Sequence, residues 1–325
     1  MIVFNESVSV IIPILNEEKY IEKCIMSVLN QDFPIENLEL ILIDGMSDDK
    51  TVQIIKEYME KYKFIKLIFN PEKTVQYALN AGIKAACGEI IVRMDAHSEY
   101  AEDYVSKCVQ YLKNTDAINV GGPMIAVGKG GLQNVIAAAY HSKFALGGGK
   151  NHEEGYEGYA DTVFLGAFKR EDILKLGMYD ERLPRSEDDD LNFRIIESGE
   201  KIYITPEIKS RYYPRGSYKS LFKQYYEYGL WKVAVIKKHK KPARISHLVP
   251  MMFVAFLLLC LIAPLKFTFP VLLLYLLLNF YFSFTNPRVS KLSDKLRLML
   301  VHSIIHIAYG VGFWVGIFKF WKYKW

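Results

Sequence analysis

"VSVIIPILNEEKYIEKCIMSVLNQ" occupies residues 8–31. Its first eight residues are apolar and largely β-branched, the mark of a buried strand. The rest places Tyr20, Ile21, Cys24, Ile25, Val28 and Leu29 at helical spacing, with Asn16 as a candidate cap and acids in the first turn. A strand that runs straight into an amphipathic helix is the first half of a βαβ unit. The pattern then repeats. "LELILID" (38–44) precedes a helical stretch at 47–62, and "FIKLIFN" (64–70) precedes one at 74–87 that Gly88 stops. "EIIVRMD" (89–95) is the fourth strand. Such alternation predicts an α/β fold, a mostly parallel sheet with helices on both faces.

In sheets of this kind ligands bind beyond the carboxyl ends of the strands. Here those ends are polar: Pro13 to Glu17, then Asp44, then Asp95 with His97. Residues i and i+2 of a strand share a face, so Asp95 and His97 can aim at one object. That object is a metal ion, a hydrogen-bond partner or bulk water.

After residue 100 the alternation breaks. An amphipathic helix is predicted at 102–114, a glycine-interrupted strand at 117–127, a helix at 132–146 and a Gly-rich, charged loop at 147–160. "SEDDDLNFR" (186–194) starts a helix in a run of acids. From residue 248 the composition changes. "LVPMMFVAFLLLCLIAP" (248–264), "FTFPVLLLYLLLNFYFSF" (267–284) and "LMLVHSIIHIAYGVGFWVGIF" (298–318) are nearly uncharged, as membrane helices are. The sequence therefore divides into a domain at 1–235, a basic juxtamembrane segment at 236–247, and a membrane region of two to three helices at 248–325.

Charge supports this division. The 325 residues carry a formal net charge of +5, and the basic cluster "KKHKKPAR" (237–244) abuts the first apolar run. That position suits an anionic membrane surface, and no basic stripe points to nucleic acid. A second basic segment, "NPRVSKLSDKLR" (286–297), predicts cytoplasmic placement as well, so three full crossings would put "KFWKYKW" (319–325) outside, against the charge rule; the alternatives are a third run that does not cross fully or "KLSDKLRLML" (291–300) lying in the interface. The lead-in "MIVFNESVSV" lacks the features of a signal peptide. Cys24, Cys87, Cys108 and Cys260 have no metal-ligand spacing and are expected to be reduced. His302 and His306, one turn apart in the last apolar run, have the spacing to bind a metal but are read first as packing residues or headgroup contacts.

The ordered series "SVIIPILNEEKYIEKCIMSVLNQ", "ELILIDGMSDDKT" and "IIVRMDAH" resembles the inverting glycosyltransferases of family 2, which have the nucleotide-diphospho-sugar-binding fold called GT-A. The similarity runs from about residue 7 to 235. Later segments, "LGAFKREDILKLGMYDERLPRSEDDDLNFRI" and "QYYEYGLWKVAVIKKHKKPAR", look like the membrane-attached enzymes of succinoglycan-type exopolysaccharide synthesis. The resemblance implies that Pro13, Asn16 and Glu17 line a nucleotide pocket. It implies that Asp44 accepts a hydrogen bond from the base and that Asn80 lies near ribose and diphosphate. Asn80 and the capping-type residues Ser47 and Asp48 also have structural readings. Gly45 stands where the family has a second Asp.

Asp95-Ala96-His97 sits at the family's Asp-x-Asp, which implies a divalent cation, Mg²⁺ or Mn²⁺, held by Asp95 and His97 against the diphosphate. The family places its catalytic base in a Glu-Asp pair, which falls on Glu187 and Asp188, with Asp188 the base. Where processive synthases carry Gln-x-x-Arg-Trp, this chain has Gln224, Glu227 and Tyr228, which argues for addition of a single sugar. Arg211, Arg215 and Lys232 are read either as diphosphate contacts or as a solvated basic surface.

The function so implied is a multi-pass, membrane-bound enzyme with its catalytic domain in the cytoplasm. It moves one sugar from a nucleotide-diphospho-sugar, first of all a UDP-sugar, to a lipid-linked glycan. The other classes weighed are a processive synthase and a non-catalytic scaffold. Asp95 and Asp188 together argue against the scaffold, and the lack of intramembrane acids argues against a transporter.

Overall fold

The computed structural model describes residues 5–323 and 325, with every side chain among them except that of Leu265. The first four residues of the expected strand lead-in, and Lys324 in the last basic segment, lie outside the described residues. Contacts group the chain into two compact units. One comprises the residues up to Ile125 together with Glu153–Tyr212; the other comprises Ala126–His152 and Tyr213–Trp325.

In chain order the first unit begins β1 (Val8–Ile14), α1 (Ile21–Leu29), β2 (Leu38–Asp44), α2 (Thr51–Lys61), β3 (Ile65–Phe69), α3 (Val75–Ala85) and β4 (Ile90–Arg93). Next come β5 (Ser98–Tyr100), α4 (Tyr104–Asn114), β6 (Asn119–Gly121) and β7 (Ile125–Ala126). The chain then enters the second unit with α5 (Gly131–Tyr140) and α6 (Lys143–Leu146). It returns through β8 (Gly158–Ala160), β9 (Ala167–Lys169), α7 (Arg170–Lys175), α8 (Glu187–Glu197), β10 (Ile202–Ile204) and β11 (Ser210–Tyr212). The remaining helices are α9 (Tyr218–His239), α10 (Val249–Leu259), α11 (Leu265–Phe284) and α12 (Leu292–Phe320).

The main sheet of the first unit has the order β3-β2-β1-β4-β9-β6-β10-β8. β1 is parallel to both β2 and β4, in register from Val8↔Leu38 to Ile14↔Asp44. The apolar run of β1 is continuous because both faces are covered. Val8, Val10, Ile12 and Ile14 pack with Ile21, Cys24, Ile25 and Val28 of α1, and Ile11 packs on the other face with Leu79 and Ile83 of α3. The chain winds outward from β1 through β2 to β3, then returns to place β4 on the other side of β1. Between β1 and β4 the winding therefore reverses, and a crevice opens beyond the strand ends. β9 is antiparallel to both β4 and β6.

Two expectations change here. The Gly-rich loop at 147–160 ends in β8, which pairs antiparallel with β10. Helix α2 begins at Thr51 and not at Ser47, because residues 45–50 bond to the loop after β1.

The second unit is helical, and it takes in residues 126–152 and 213–235, which the sequence assigned to the first domain. Helix α5 goes there because Val135–Tyr140 are buried all round. Among the described residues two helices are long and apolar enough to cross a membrane, α11 from Lys266 and α12. The run at 248–264 yields only the 11 residues of α10. Its backbone turns at 260–263 ahead of Pro264, a residue that disfavours helix before it. His302 and His306 are packing residues with polar partners. His302 Nδ1 lies 2.9 Å from Asn279 Oδ1, and His306 Nε2 lies 2.9 Å from the Phe144 carbonyl. Lys232 is buried on α9 and is not part of a solvated surface.

Candidate active site

The loops after β1 and β2 are stitched together. Asn16 N–H donates to Ser47 Oγ at 2.8 Å, Asn16 Oδ1 accepts from Asp48 N–H at 3.0 Å, and Glu17 N–H donates to Thr51 Oγ1 at 2.8 Å. Asn16 and Met46 hold left-handed backbone, with φ of 56° and 64°. Asn tolerates this region, whereas Met does not favour it. Ser47 thus serves the loop pair and caps no helix. Pro13 pairs with Ile43 one step before the strand ends. Asp44, fully buried, accepts from Ser47 N–H through Oδ2 at 2.9 Å, while its Oδ1 has no protein partner. A buried carboxylate oxygen without a donor is costly unless a ligand supplies one.

Across the winding reversal, the β4 end contributes Asp95 and His97. Asp95 N–H donates to the Tyr100 hydroxyl at 2.6 Å. His97 Nδ1 lies 3.4 Å from Glu17 Oε1, so the loops after β1 and β4 meet here. Asp95 and His97 side chains remain partly exposed, at 18% and 37%.

The sequence reading missed Arg93. It is the last residue of β4, its side chain is buried, and it reaches two carboxylates. Nε lies 3.7 Å from Asp95 Oδ1 and Nη2 lies 3.4 Å from Glu187 Oε1. The guanidinium also sits over the Tyr179 ring, 5.8 Å from its centroid. Burial opposes its charge, but Asp95, Tyr179, Glu187 and Asp188 hold it firmly protonated. A cation in an otherwise apolar strand, "IIVR", was the available signal.

The four acids at the start of α8 separate into different roles. Ser186, just before them, has φ of 60°, which turns the chain sharply into the helix. Glu187 is buried against Arg93. Asp188 is exposed, and its Oδ1 accepts from Asp189 N–H at 2.9 Å. Asp190 is fully buried and binds Arg194 Nε at 3.0 Å, and Arg194 in turn donates to the carbonyls of Leu176 and Met178. Asn80 secures the same loop. Its Nδ2 donates to Tyr179 O at 2.9 Å and to Glu181 Oε1 at 3.0 Å, and its Oδ1 accepts from Tyr179 N–H at 2.9 Å. The Asn80 amide is thus engaged inside the protein, where it fixes the segment leading into α8.

Burial, with repulsion from Asp188, pushes the Glu187 carboxyl up from 4.5 to about 7. Its affinity for the proton is therefore higher folded than unfolded. The stability contributed by protonated Glu187 is fully present below about pH 4.5 and is lost as pH rises through about 7. Glu187→Gln is expected to flatten the dependence of Tm on pH across that window. An unchanged slope in thermal unfolding would place the titration on another group.

Comparison with known proteins fits this geometry. The family model described as Glycosyl transferase family 2 matches residues 9–176. The dolichyl N-acetyl-alpha-D-glucosaminyl phosphate 3-beta-D-2,3-diacetamido-2,3-dideoxy-beta-D-glucuronosyltransferase of Methanococcus voltae is 35% identical over 242 residues, 71% of this chain and 74% of that protein. Succinoglycan biosynthesis protein ExoA of Rhizobium meliloti is 28% identical over 244 residues, 74% of each. Among solved structures, mannosyltransferase PcManGT from Pyrobaculum calidifontis, in complex with GDP-Man and Mn2+, matches with a TM-score of 0.63 at 19% identity, over 94% of this chain and 88% of that one. That last likeness is one of fold, and the fold is GT-A-like, as the sequence implied. The chain belongs to glycosyl transferase family 2.

Proposed function

We propose that this glycosyltransferase is membrane-bound, faces the cytoplasm, and transfers a single sugar with inversion from a nucleotide-diphospho-sugar to a lipid-linked glycan. The observation that carries the reading is Arg93, which draws the Asp95 end of β4 to the Glu187–Asp188 start of α8. A donor site and an acceptor-side base then adjoin one crevice. The partnerless Oδ1 of Asp44 suits a nucleobase N–H, with a UDP-sugar the first donor to test. The name of the Methanococcus relative specifies a sugar on dolichyl phosphate, which supports a lipid-linked acceptor. Glu227, in place of the Arg of processive enzymes, supports single addition. Membrane attachment is supported by α11, which is long and apolar enough to cross a membrane and is little buried within the protein.

Asp95 and His97 are the residues that would hold a divalent cation. Among the described residues no cluster of three or more His, Cys, Asp or Glu is found. Two protein donors still fit, because Mg²⁺ in nucleotide sites is held by one or two carboxylates with substrate phosphates and water, and Mn²⁺ also accepts imidazole. A proton on His97 Nδ1, which faces Glu17, makes Nε2 the donor atom of the ring. When bound, the cation neutralises the charge that grows on the departing diphosphate. Asp188 takes the proton from the attacking acceptor hydroxyl, and Glu187 with Arg93 fixes where Asp188 stands.

The test is transfer from a panel of nucleotide sugars by membranes containing the protein. Asp95→Asn is expected to abolish transfer while the chain stays folded, and chelation is expected to do so reversibly. Activity that survives thorough chelation would remove the metal role of Asp95 and His97. No transfer from any donor, with a folded protein and acceptor lipid present, would favour the scaffold reading.

A further inference from the structure

By length and composition α12 is a candidate span, yet its surroundings are those of a core helix. Half of its apolar window is buried within the protein, against 17% for α11. Leu298, Val301, His302, Ile305, His306, Ala308 and Phe313 are among its buried residues. Helix α9 covers its second half at very close range. A Cβ on Gly229 would lie 2.0 Å from the Tyr309 carbonyl oxygen. One on Gly312 would lie 2.0 Å from that of Tyr226, and one on Gly316 would lie 2.6 Å from that of Leu230. Tyr226 and Gly229 face residues 309–312, Leu230 faces Gly316, and Lys237 reaches 320–321, so α9 and α12 run parallel. Lys237 Nζ closes the pair by donating to the Trp321 carbonyl at 2.6 Å and to that of Phe320.

This parallel pairing restricts what α12 can do in a bilayer. Backbones in such contact cannot separate without losing the interface. If 298–318 spanned the hydrocarbon, α9 would be carried in beside it, with Lys223 and Glu227. Charged side chains at that depth are strongly disfavoured. α12 is also flanked by cations at both ends, Lys291, Lys295 and Arg297 before or within its first turns and Lys319 and Lys322 at its close. A crossing would place one group on the outer side, against the tendency of Lys and Arg to remain in the cytoplasm.

The α10–α11 hairpin has the opposite character. Leu261, Ile262 and Phe267 near its turn are 79%, 85% and 67% exposed, and Leu274, Leu276, Leu277 and Phe280 continue an unpartnered apolar surface along α11. Its two ends are bordered by Lys240, Lys241 and Arg244 on one side and by Arg288 and Lys291 on the other, and the one Lys or Arg between them, Lys266, stands at the turn, where it can reach the opposite headgroups. Cations at both roots of an apolar hairpin complement anionic headgroups beside hydrocarbon. We infer that the α10–α11 hairpin is the part of this unit that enters the lipid, and that α12 does not cross. The segments 237–244, 288–297 and 319–323 then share one side of the membrane. The inference rests on the proposed membrane attachment and deepens it. It also removes the conflict that three crossings would create for the last basic segment.

Site-directed labelling tests it in the full-length protein. Cys24 and Cys108 are buried, whereas Cys87 is exposed in the first unit and reports the side that unit occupies. In a Cys260→Ser background, Tyr323→Cys is treated with a membrane-impermeant maleimide in sealed right-side-out and inside-out vesicles. Cys87 and the new thiol are expected to react in the same preparation, and so is Leu292→Cys, at a position 63% exposed; protection of Leu292→Cys there would mean that α11 and α12 both cross and would overturn the inference. Phe318→Cys, at a position 73% exposed, repeats the measurement should the first variant fold poorly. Reaction of either new thiol only in the preparation that protects Cys87 would overturn the inference while leaving attachment intact. Release of the chain by a carbonate wash would instead remove the membrane reading, and this one with it.

Discussion

Asp188→Asn is expected to lower turnover by about 10²–10⁴-fold, the usual contribution of a general base, and to leave donor binding nearly unchanged. The expectation rests on how the acids at the start of α8 are used. Glu187 faces Arg93, and Asp190 is held by Arg194. Asp188 is the exposed member of the Glu-Asp pair, so it can meet an acceptor hydroxyl arriving from outside. Asn keeps the oxygen that accepts from Asp189 N–H, so the helix start is retained while the basicity is lost. Asp189→Asn is the control and should retain most of the activity. Donor titration and single-turnover transfer separate the two steps. Equal losses in both variants would make the acidic run a general electrostatic patch. Full activity in Asp188→Asn would move the base elsewhere, with Glu187 the first place to look.

The division of labour in α8 marks the limit of what the sequence displayed. Periodicity and burial are local, so β1 to β4 and α1 to α4 were legible, and so were the polar strand ends at Asp44, Asp95 and His97. Family resemblance added Glu187 and Asp188, but not which acid is buried against a cation. That depends on Arg93, 94 positions away from Glu187 in the chain. Ser47 shows the same limit on a shorter scale. Its sequence context reads as a helix cap, yet its hydroxyl serves Asn16 in the neighbouring loop. Residues 158–160 have the sequence of a loop and become strand β8 only by pairing with β10, far along the chain. The glycines of α9 and α12 carry no apolar signal, so their helix contact was invisible to a count of hydrophobic residues. Residues 126–152 look like more of the first domain until the packing of α5 is known.

Arg93→Met is expected to be among the most damaging single changes outside the reacting groups. It keeps length and apolar packing but leaves Asp95 and Glu187 near each other without their cation. Breaking a buried ion pair by removing one partner costs about 3–5 kcal/mol. The separations of 3.4 and 3.7 Å and the partial exposure of Asp95 place this site at the lower end of that range. The loss should depend on pH with a defined sign. Arg93 lowers the Glu187 pKa, so its removal raises that pKa further. Glu187 in the variant can relieve the unpaired charge by holding its proton. The penalty is therefore smallest at acid pH and grows as pH rises through about 7, where Glu187 ionises even with Arg93 present. Arg93→Lys should recover part of the stability, since one ammonium restores the charge but not the forked reach to both carboxylates. Thermal unfolding of both variants at pH 5.5 and pH 8, each compared with the same change in a Glu187→Gln background, measures the coupling. A substantial non-additive term at pH 8 that shrinks at pH 5.5 is the expected result. Additive effects at both pH values would mean that Arg93 holds Asp95 alone, and the link from β4 to the acids at the start of α8 would then have to come from the loop fixed by Asn80 and Arg194.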